Sequence, residues 1–288
     1  MLLSAAVVAV IAFGVYHLAS EPADLPGSDA GETAETGEAA DTGGRGADTD
    51  ADNPYADLYY YEADKQPRYV AYAADHPEMS PDQVVWQVDA DLDKAPYTDV
   101  SLIEDFSPPL MVNKHCKLPD DFVPENLVQI ATGQQMTEET KDAYEVLRSA
   151  ATATGFRISA ASAYRSIAYQ KEVYGRYVAS EGAERADTYS ARPGHSEHHT
   201  GTTIDLIGPA GTLNGFTGTP EAAWVAENAR RFGFIIRYTE ENQDVTGYMP
   251  EAWHITWVGT DVAETMHEEN IGSLEEYVVK YRTHAKKD

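Results

Sequence analysis

The order of the predicted elements indicates an α+β domain, in which helices surround a small, mainly antiparallel sheet. Two observations support this class. Stretches with a helical apolar period separate most of the predicted strands, but the last two strands, 233–238 and Trp253–Val258, follow each other without an intervening helix. The loop between them, Thr239–Tyr248, is polar and hairpin-like, so these two strands are expected to pair antiparallel.

In chain order, local patterns predict a helix, a strand, a second helix, a turn that enters a strand, a third helix, two strands and terminal helices. The second helix carries Tyr169, Val173 and Tyr177 on one stripe, which predicts that this stripe packs in the core. β-branched residues favour the strand after Gly201. The ranges are helix Thr137–Thr154, strand Phe156–Ser162, helix Tyr164–Ser180, strand Thr202–Asp205, helix 219–232, strand 233–238 and strand Trp253–Val258.

Residues 194–205 contain three of the nine histidines, all within five positions, and end in an aspartate. His198 and Asp205 are seven positions apart, so on one straight strand their side chains would point to opposite faces. Gly201 breaks the chain between them, which places His198 on a turn and Asp205 on the strand that follows. The two side chains can then approach one site.

Further along the chain, Glu251 and His254 add a second carboxylate and another imidazole. The strand after Pro250 alternates, so His254 and Thr256 are expected to face the site while the residues between them face the core. Two imidazoles and one carboxylate are the protein ligands of many catalytic zinc sites. A further carboxylate such as Glu251 can act as the base for a water molecule. The pattern therefore predicts a zinc hydrolase site with one zinc ion per chain.

Other histidines have simpler interpretations. His195 and His199 are expected to support the ligands or to lie exposed, rather than to bind the metal. The single cysteine, Cys116, permits no internal disulfide and is predicted to be structural. Four further histidines are predicted to be ordinary surface or core residues, namely His76, His115, His267 and His284.

Two motifs contain the predicted ligands and base: Ser196-x-His198-x-x-Gly201-x-x-x-Asp205 and Glu251-x-Trp253-His254. Together they resemble the signature of the VanY-type D-alanyl-D-alanine carboxypeptidases, zinc peptidases that trim the stem peptides of the bacterial cell wall. The resemblance covers residues 105–285 approximately and implies a compact zinc peptidase domain. It also implies that His198, Asp205 and His254 bind zinc, and that Glu251 is the catalytic base.

Upstream, Ser162-Ala163-Tyr164-Arg165-Ser166 resembles the Ser-Gly-Tyr-Arg-Ser element of the same family. The resemblance implies that Arg165 holds the substrate carbonyl and the oxyanion. Arg165 also lies at a predicted strand-to-helix junction, where a cation can reach a cleft, although pairing with one of the many acids is the alternative. The predicted substrate-binding residues are Arg165, Gln170, Ser196 and Tyr164.

The chain departs from the family pattern at three positions. Ala163 replaces a usual glycine, Thr203 a usual alanine, and Thr256 a residue that is commonly arginine. None of these changes removes a predicted ligand or the base, so catalysis is expected to be intact. Thr256 is predicted on the site face of its strand, where it can alter substrate preference.

The composition argues against one class of partner. The 288 residues include 48 acidic and 21 basic ones, for a formal net charge of −27, which disfavours nucleic acid as a partner. The sequence has no internal repeat and no glycine-rich nucleotide-binding loop. A monomer is expected.

Four segments are predicted along the chain. Residues 1–20 are apolar over about 18 positions, roughly 27 Å as a helix, and predict a transmembrane anchor or signal segment. Residues 21–53 contain ten acids and one arginine and predict a disordered acidic linker. Residues 54–104, with a helix start at Pro81, are expected to pack on the catalytic domain, 105–288. The predicted location is the cell membrane, with a single span and the catalytic domain on the cell-wall side.

Three functional hypotheses follow. The favoured one is removal of the terminal D-alanine from peptidoglycan stem peptides, with L,D-carboxypeptidase and D,D-dipeptidase activity as alternatives within the same fold. The second is a catalytically silent, zinc-containing binding module similar to Hedgehog-type domains. The presence of Glu251 and Arg165 argues against this second hypothesis. The third is a different zinc amidase or endopeptidase that acts on wall cross-links.

Overall fold

The computed structural model of the chain describes residues 53–282, where helices and short strands alternate. This mixture, with small antiparallel sheets, confirms the predicted fold class. The strands of this part are β1 (Ser101–Leu102), β2 (Cys116–Lys117), β3 (Leu127–Gln129), β4 (Gln135–Thr137), β5 (Ser159–Ser162), β6 (Thr203–Ile207), β7 (Phe234–Tyr238) and β8 (Glu251–Trp257). Its α-helices are α1 (Gln66–Asp75), α2 (Pro81–Asp89), α3 (Glu138–Ala153), α4 (Ile167–Glu181), α5 (Ala183–Ala186), α6 (Pro220–Asn228), α7 (Gln243–Thr246), α8 (Thr260–Glu268) and α9 (Leu274–Tyr277).

Within the described residues, one antiparallel sheet has four strands, in the order β5-β6-β8-β7. The predicted pairing of the last two strands is confirmed, because β7 lies antiparallel to β8. On the other side of β8, the register with β6 sets Asp205 opposite His254. The Cβ atoms of directly opposed residues are about 5 Å apart, so this register brings a carboxylate next to an imidazole.

One face of the sheet packs against helices α3 and α6. Ile204 of β6 and Ile255 of β8 are fully buried there, together with Leu147 of α3. Successive residues of a strand point to opposite faces, so Asp205 and His254 are directed away from this apolar core. The alternation predicted for β8 is thereby confirmed at Ile255 and His254.

Polar side chains cap several of the helices where the chain enters them. Ser80 and Gln83 form a reciprocal capping box at the start of α2, which confirms the helix start predicted there. Ser166 caps α4 by accepting a hydrogen bond from the backbone N–H of Tyr169. Because Ser166 directly follows Arg165, this cap fixes the start of α4 next to Arg165.

The prediction that one stripe of α4 packs in the core is wrong for two of its three residues. Tyr169 is 50% exposed and Tyr177 is 39% exposed, while Val173 is buried. Gln170 is buried instead, because its amide accepts a hydrogen bond from Arg165 and donates one to a backbone carbonyl. These polar contacts decide which face of α4 turns inward, and hydrophobic periodicity does not report them.

Residues 54–104 contain helices α1 and α2 and share an apolar cluster with the last described residues. Tyr60 and Val85 are buried in this cluster together with Val279. The limits of the four predicted segments remain predictions.

The prediction that the chain is a single-span membrane protein is wrong. Across residues 53–282, no helix is both long enough and apolar enough to span a bilayer. The longest of these helices, α3, has 16 residues, whereas a membrane span needs about 20 mostly apolar residues. Residues 1–20, which carried the prediction of an anchor, lie outside the described residues, as do all but the last residue of the predicted linker 21–53.

Candidate metal centre

The turn that carries His198 is a 3-10 helix, Glu197–Thr200. Gly201 ends it with a φ of 72°, a left-handed conformation that glycine adopts without a steric penalty. Strand β6 begins two residues later, so the predicted break between His198 and Asp205 is confirmed.

The register of the sheet brings Asp205 to two imidazoles. Asp205 Oδ2 is 3.2 Å from His198 Nε2, and Asp205 Oδ1 is 3.3 Å from His254 Nδ1. All three side chains are buried, and one ligand atom from each lies within 4.8 Å of the others. The structure therefore brings the three residues together from one turn and two adjacent strands.

Hydrogen bonds to the other ring nitrogens orient both imidazoles. His198 Nδ1 lies 2.6 Å from the carbonyl oxygen of Ala163, which can only accept, so Nδ1 carries the proton. His254 Nε2 lies 3.2 Å from the carboxylate oxygen Oε2 of Glu197 and donates in the same way. The lone pairs of His198 Nε2 and His254 Nδ1 then face Asp205, as ligation of one metal ion requires.

Two buried atoms of this cluster lack a hydrogen bond. His198 Nε2 and Asp205 Oδ1 have no hydrogen-bond partner within residues 53–282. Buried polar atoms are nearly always paired in folded proteins, so two unpaired atoms in one cluster point to a bound group that engages both. Two imidazole nitrogens and a carboxylate are the donor set of catalytic zinc sites, so these residues fit a zinc ion.

Burial and neighbouring charges shift the pKa values of the cluster. Burial, helped by the Arg165 guanidinium, lowers the pKa of His198 to about 4, so its imidazole is neutral at neutral pH. Burial alone would raise the pKa of Asp205, but the two histidines hold it well below its usual range. Burial also disfavours charge on His254, but the three carboxylates around that ring outweigh it and raise its pKa well above the usual value. These carboxylates therefore favour positive charge at His254 Nδ1, which a bound metal ion would supply in place of a ring proton.

Glu251, the first residue of β8, lies beside the cluster. Its Oε2 is 3.3 Å from His254 Nδ1, and its side chain is 15% exposed. Burial raises the pKa of the Glu251 carboxyl, although His254 partly offsets this effect. A carboxylate with raised proton affinity at this position can take a proton from a water molecule.

Arg165 lies between β5 and α4 and approaches Asp205 from the side. Its Nη2 is 3.6 Å from Asp205 Oδ2, and its Nη1 donates to Gln170 Oε1 at 3.0 Å. Gln170 in turn donates from Nε2 to the carbonyl oxygen of Ala191 at 2.8 Å, so both ends of its amide are engaged. In the described part of the chain, Arg165 Nε has no hydrogen-bond partner. A guanidinium held in this way can stabilise negative charge that develops in the cleft.

A cavity of about 720 Å³ lies over the cluster, within the size range of substrate pockets. Tyr164 is not among the described residues that line it, so a role for Tyr164 in substrate binding remains a prediction. The other seven predicted site residues do line it, namely Arg165, Gln170, Ser196, His198, Asp205, Glu251 and His254.

His195 and His199 are buried but do not belong to the cluster of ligand atoms found among the described residues. His199 Nδ1 lies 2.6 Å from the backbone oxygen of Arg165, and His195 Nδ1 lies 2.8 Å from that of Asn113. Both histidines were expected either to support the ligands or to lie exposed, and their burial favours the supporting role. His199 fixes the backbone from which Arg165 extends.

Sequence reasoning missed Glu197 and Arg237. Glu197 occupies an unspecified position of the motif, yet its side chain is 1% exposed and accepts a hydrogen bond from Arg237 Nε at 2.7 Å. Burial alone would raise the pKa of Glu197, but Arg237 and His254 lower it to about 2. An acid directly before the predicted ligand His198 was the available signal. Its partner is 40 positions away, which local patterns do not connect.

Thr256 lies on the same face of β8 as His254, where both side chains contact Glu197, and its effect on substrate preference stays a prediction. Its hydroxyl donates to Glu197 Oε2 at 2.9 Å and lies 3.0 Å from that of Thr203. Thr256 is not among the described residues that line the cavity. Two of the three departures from the family pattern, Thr203 and Thr256, are thus cross-strand partners behind the site.

Comparison with known sequences places these features in a family. The family model VanY, described as D-alanyl-D-alanine carboxypeptidase, matches residues 133–260. The chain is 33% identical over 184 residues to the putative carboxypeptidase YodJ of Bacillus subtilis, covering 60% of this chain and 67% of that protein. It is 30% identical over 180 residues to a D-alanyl-D-alanine carboxypeptidase of Enterococcus faecalis, covering 59% of this chain and 65% of that protein. The aligned region spans about two thirds of the length of these relatives.

Solved structures share the fold. The LdcB LD-carboxypeptidase matches with a TM-score of 0.59 and 32% identity, over 64% of this chain and 91% of that one. A mutant of the vancomycin resistance D,D-pentapeptidase VanY in complex with Zn(II) matches with a TM-score of 0.53 and 30% identity, over 59% and 97%. VanYB in complex with D-alanine-D-alanine matches with a TM-score of 0.54 and 30% identity, over 60% and 98%.

Fold and relatives together define the class of this domain, which is that of the carboxypeptidases. The chain belongs to the VanY family of D-alanyl-D-alanine carboxypeptidases.

Proposed function

We propose that this chain is a zinc-dependent D-alanyl-D-alanine carboxypeptidase that removes the terminal D-alanine from peptidoglycan stem peptides. The observation that carries the proposal is the convergence of three ligand atoms in one cavity with a carboxylate and a guanidinium. Two relatives support it, since a VanY structure contains Zn(II) and a VanYB structure contains D-alanine-D-alanine.

In the proposed reaction, His198 Nε2, Asp205 and His254 Nδ1 would hold the zinc ion. When bound, zinc supplies Lewis acidity, which makes water a stronger acid and polarises a carbonyl group. Glu251 takes a proton from the attacking water and delivers it to the nitrogen of the leaving D-alanine. The water oxygen bonds to the penultimate carbonyl carbon and the peptide C–N bond breaks. The shortened stem therefore ends in a carboxylate, and D-alanine leaves with its amino group.

Arg165 is proposed to receive the negative charge that develops on the carbonyl oxygen. Its contacts with Asp205 and Gln170 fix the guanidinium before substrate binds, so little reorganisation is needed during the reaction. Gln170 is engaged at both ends of its amide and therefore acts through Arg165. Ser196 lines the cavity and is proposed to contact the peptide directly.

Replacement of Arg165 by alanine should lower turnover at saturating substrate by about a hundredfold or more, since one oxyanion donor contributes about 10²–10³ to kcat. Zinc content of the same preparation should be unchanged, because Arg165 is not a proposed ligand. The matched control is Arg176→Ala, which removes an exposed arginine of α4 and should keep wild-type turnover. Unchanged turnover in Arg165→Ala would remove Arg165 from this role.

A second candidate is L,D-carboxypeptidase activity, which the similarity to LdcB favours. Mass spectrometry of the products from defined muropeptides separates the candidates. We expect pentapeptide stems to lose one D-alanine and tetrapeptide stems to remain intact. Conversion of tetrapeptides to tripeptides would instead identify an L,D-carboxypeptidase, and cleavage of cross-linked dimers an endopeptidase. Absence of any cleavage by zinc-loaded protein would contradict an enzymatic function.

A further inference from the structure

A row of buried charged side chains lies behind the metal-site residue His254. Glu197 Oε2 accepts from His254 Nε2 at 3.2 Å, and Glu197 Oε1 accepts from Arg237 Nε at 2.7 Å. Arg237 Nη2 donates to Glu275 Oε1 on α9 at 2.6 Å, and Asn113 Nδ2 donates to the same oxygen at 2.9 Å. The side chains of Glu197, Arg237 and Glu275, which we call the buried charge row, are at most 1% exposed.

Stability alone does not account for the buried charge row. Transfer of charges out of water costs free energy that pairing often only just offsets, so buried ion pairs are weak evidence of a stabilising role. Here two carboxylates share one guanidinium. In addition, Arg237 Nη1 and Glu275 Oε2 have no hydrogen-bond partner among residues 53–282. The position of the row, directly behind a metal-site histidine, indicates a role in that site.

The row determines which nitrogen of His254 carries the proton. A carboxylate can only accept, so Glu197 requires the proton on His254 Nε2 and leaves the lone pair on Nδ1. That nitrogen is the one 3.3 Å from Asp205. Thr256 also donates to Glu197 Oε2, at 2.9 Å, while Arg237 holds Oε1. Both oxygens are thus engaged, and the carboxylate cannot rotate without breaking one of these bonds.

We propose that Glu197 is a positioning residue for His254, which fixes its tautomer and ring orientation for metal binding, and that Arg237 and Glu275 hold Glu197 in place. This inference rests on the zinc site of the proposed function. Asn113 and Glu275 lie outside the matched residues 133–260, so the supporting network extends beyond that segment on both sides.

The deciding measurement is the zinc affinity of Glu197→Gln, determined by competition with a chromophoric chelator. Arg237 and His254 donate to different oxygens of Glu197, and glutamine has an acceptor oxygen at only one of these two positions. If the glutamine amide turned its N–H towards His254 Nε2, that nitrogen would have to accept, and the ring proton would move to Nδ1, the proposed ligand atom. The dissociation constant for zinc should rise about 10–100-fold, the usual effect of losing a partner that orients a metal-bound histidine.

Asp89→Asn is the matched control for this measurement. Asp89 is another buried carboxylate, with a side chain 4% exposed and paired to Lys65, and it lies outside the buried charge row. Its replacement removes a buried negative charge without touching His254. The melting temperature should fall, but the zinc affinity should equal that of the wild type.

Glu197→Asp decides the question where Glu197→Gln fails to fold. It keeps the charge that Arg237 requires but withdraws the carboxylate by one methylene, so contact with His254 is lost. Its dissociation constant for zinc should rise by a similar factor. Wild-type zinc affinity with only a lowered melting temperature would show a purely structural role and overturn the inference. If the wild-type chain binds no zinc, the proposed function fails first, so the two failures are distinguishable.

Discussion

Removal of zinc should abolish the peptidase activity of this chain, and one equivalent of zinc per chain should restore it. Without the metal, Glu251 would contact ordinary water, which is too weak an acid for a carboxylate to deprotonate to a useful extent. His198→Ala and His254→Ala should each lose most of the bound zinc, because loss of a ligand exceeds the roughly 10–100-fold effect of losing a supporting residue. Metal analysis of the purified proteins and activity on a pentapeptide stem are the measurements.

His267→Ala is the matched control for the ligand variants. His267 is exposed on α8 and lies outside the cluster of ligand atoms, so its loss should change neither zinc content nor activity. Thermal unfolding gives an independent readout, since zinc at a thousandfold excess over its dissociation constant should stabilise the folded state by about 4 kcal/mol. Full activity after exhaustive dialysis against a chelator, with metal verified as negligible, would refute the zinc site.

Replacement of Glu251 by glutamine should lower activity on a pentapeptide stem at least about a hundredfold, since general-base assistance contributes about 10²–10⁴ to the rate. The amide is nearly isosteric with the carboxylate, but it cannot accept a proton from water. Zinc content and melting temperature should remain close to wild type, because Glu251 lies beside the three ligand atoms and is not one of them.

Glu240→Gln removes the same charge from an exposed position and should leave activity unchanged. Two results would contradict the proposed role of Glu251. Loss of zinc in Glu251→Gln would make Glu251 a ligand, so that the base lies elsewhere. Retention of both zinc and full activity would show that the reaction does not depend on this carboxylate.

Arg237 connects the candidate metal centre to the C-terminal part of the described chain. Its guanidinium contacts Glu197, which holds His254, and Glu275, which belongs to α9. If Glu197 positions His254 as proposed, a change at α9 should reach the orientation of His254 through these two ion pairs. This connection distinguishes the buried charge row from the exposed ion pairs of the surface, which contribute little.

The sequence by itself determined the features that depend on neighbours in the chain. The β-branched run after Gly201 and the alternation after Pro250 are local patterns, so they located β6, β8 and the turn at His198. Glycine at a left-handed position and alternating side chains follow from backbone sterics, which act within a few residues. The α+β class followed from the same patterns.

Only the tertiary structure decided which distant residues meet. The antiparallel register places Asp205 opposite His254. In the buried interior, Glu197 pairs with Arg237, which is 40 positions away in the sequence. Gln170 turns inward on α4 because its amide finds partners in other segments, although the apolar pattern predicted another face. Such contacts are selected by packing and by the need to pair buried polar groups, which are properties of the whole folded chain. A one-dimensional pattern of hydrophobicity carries no record of them.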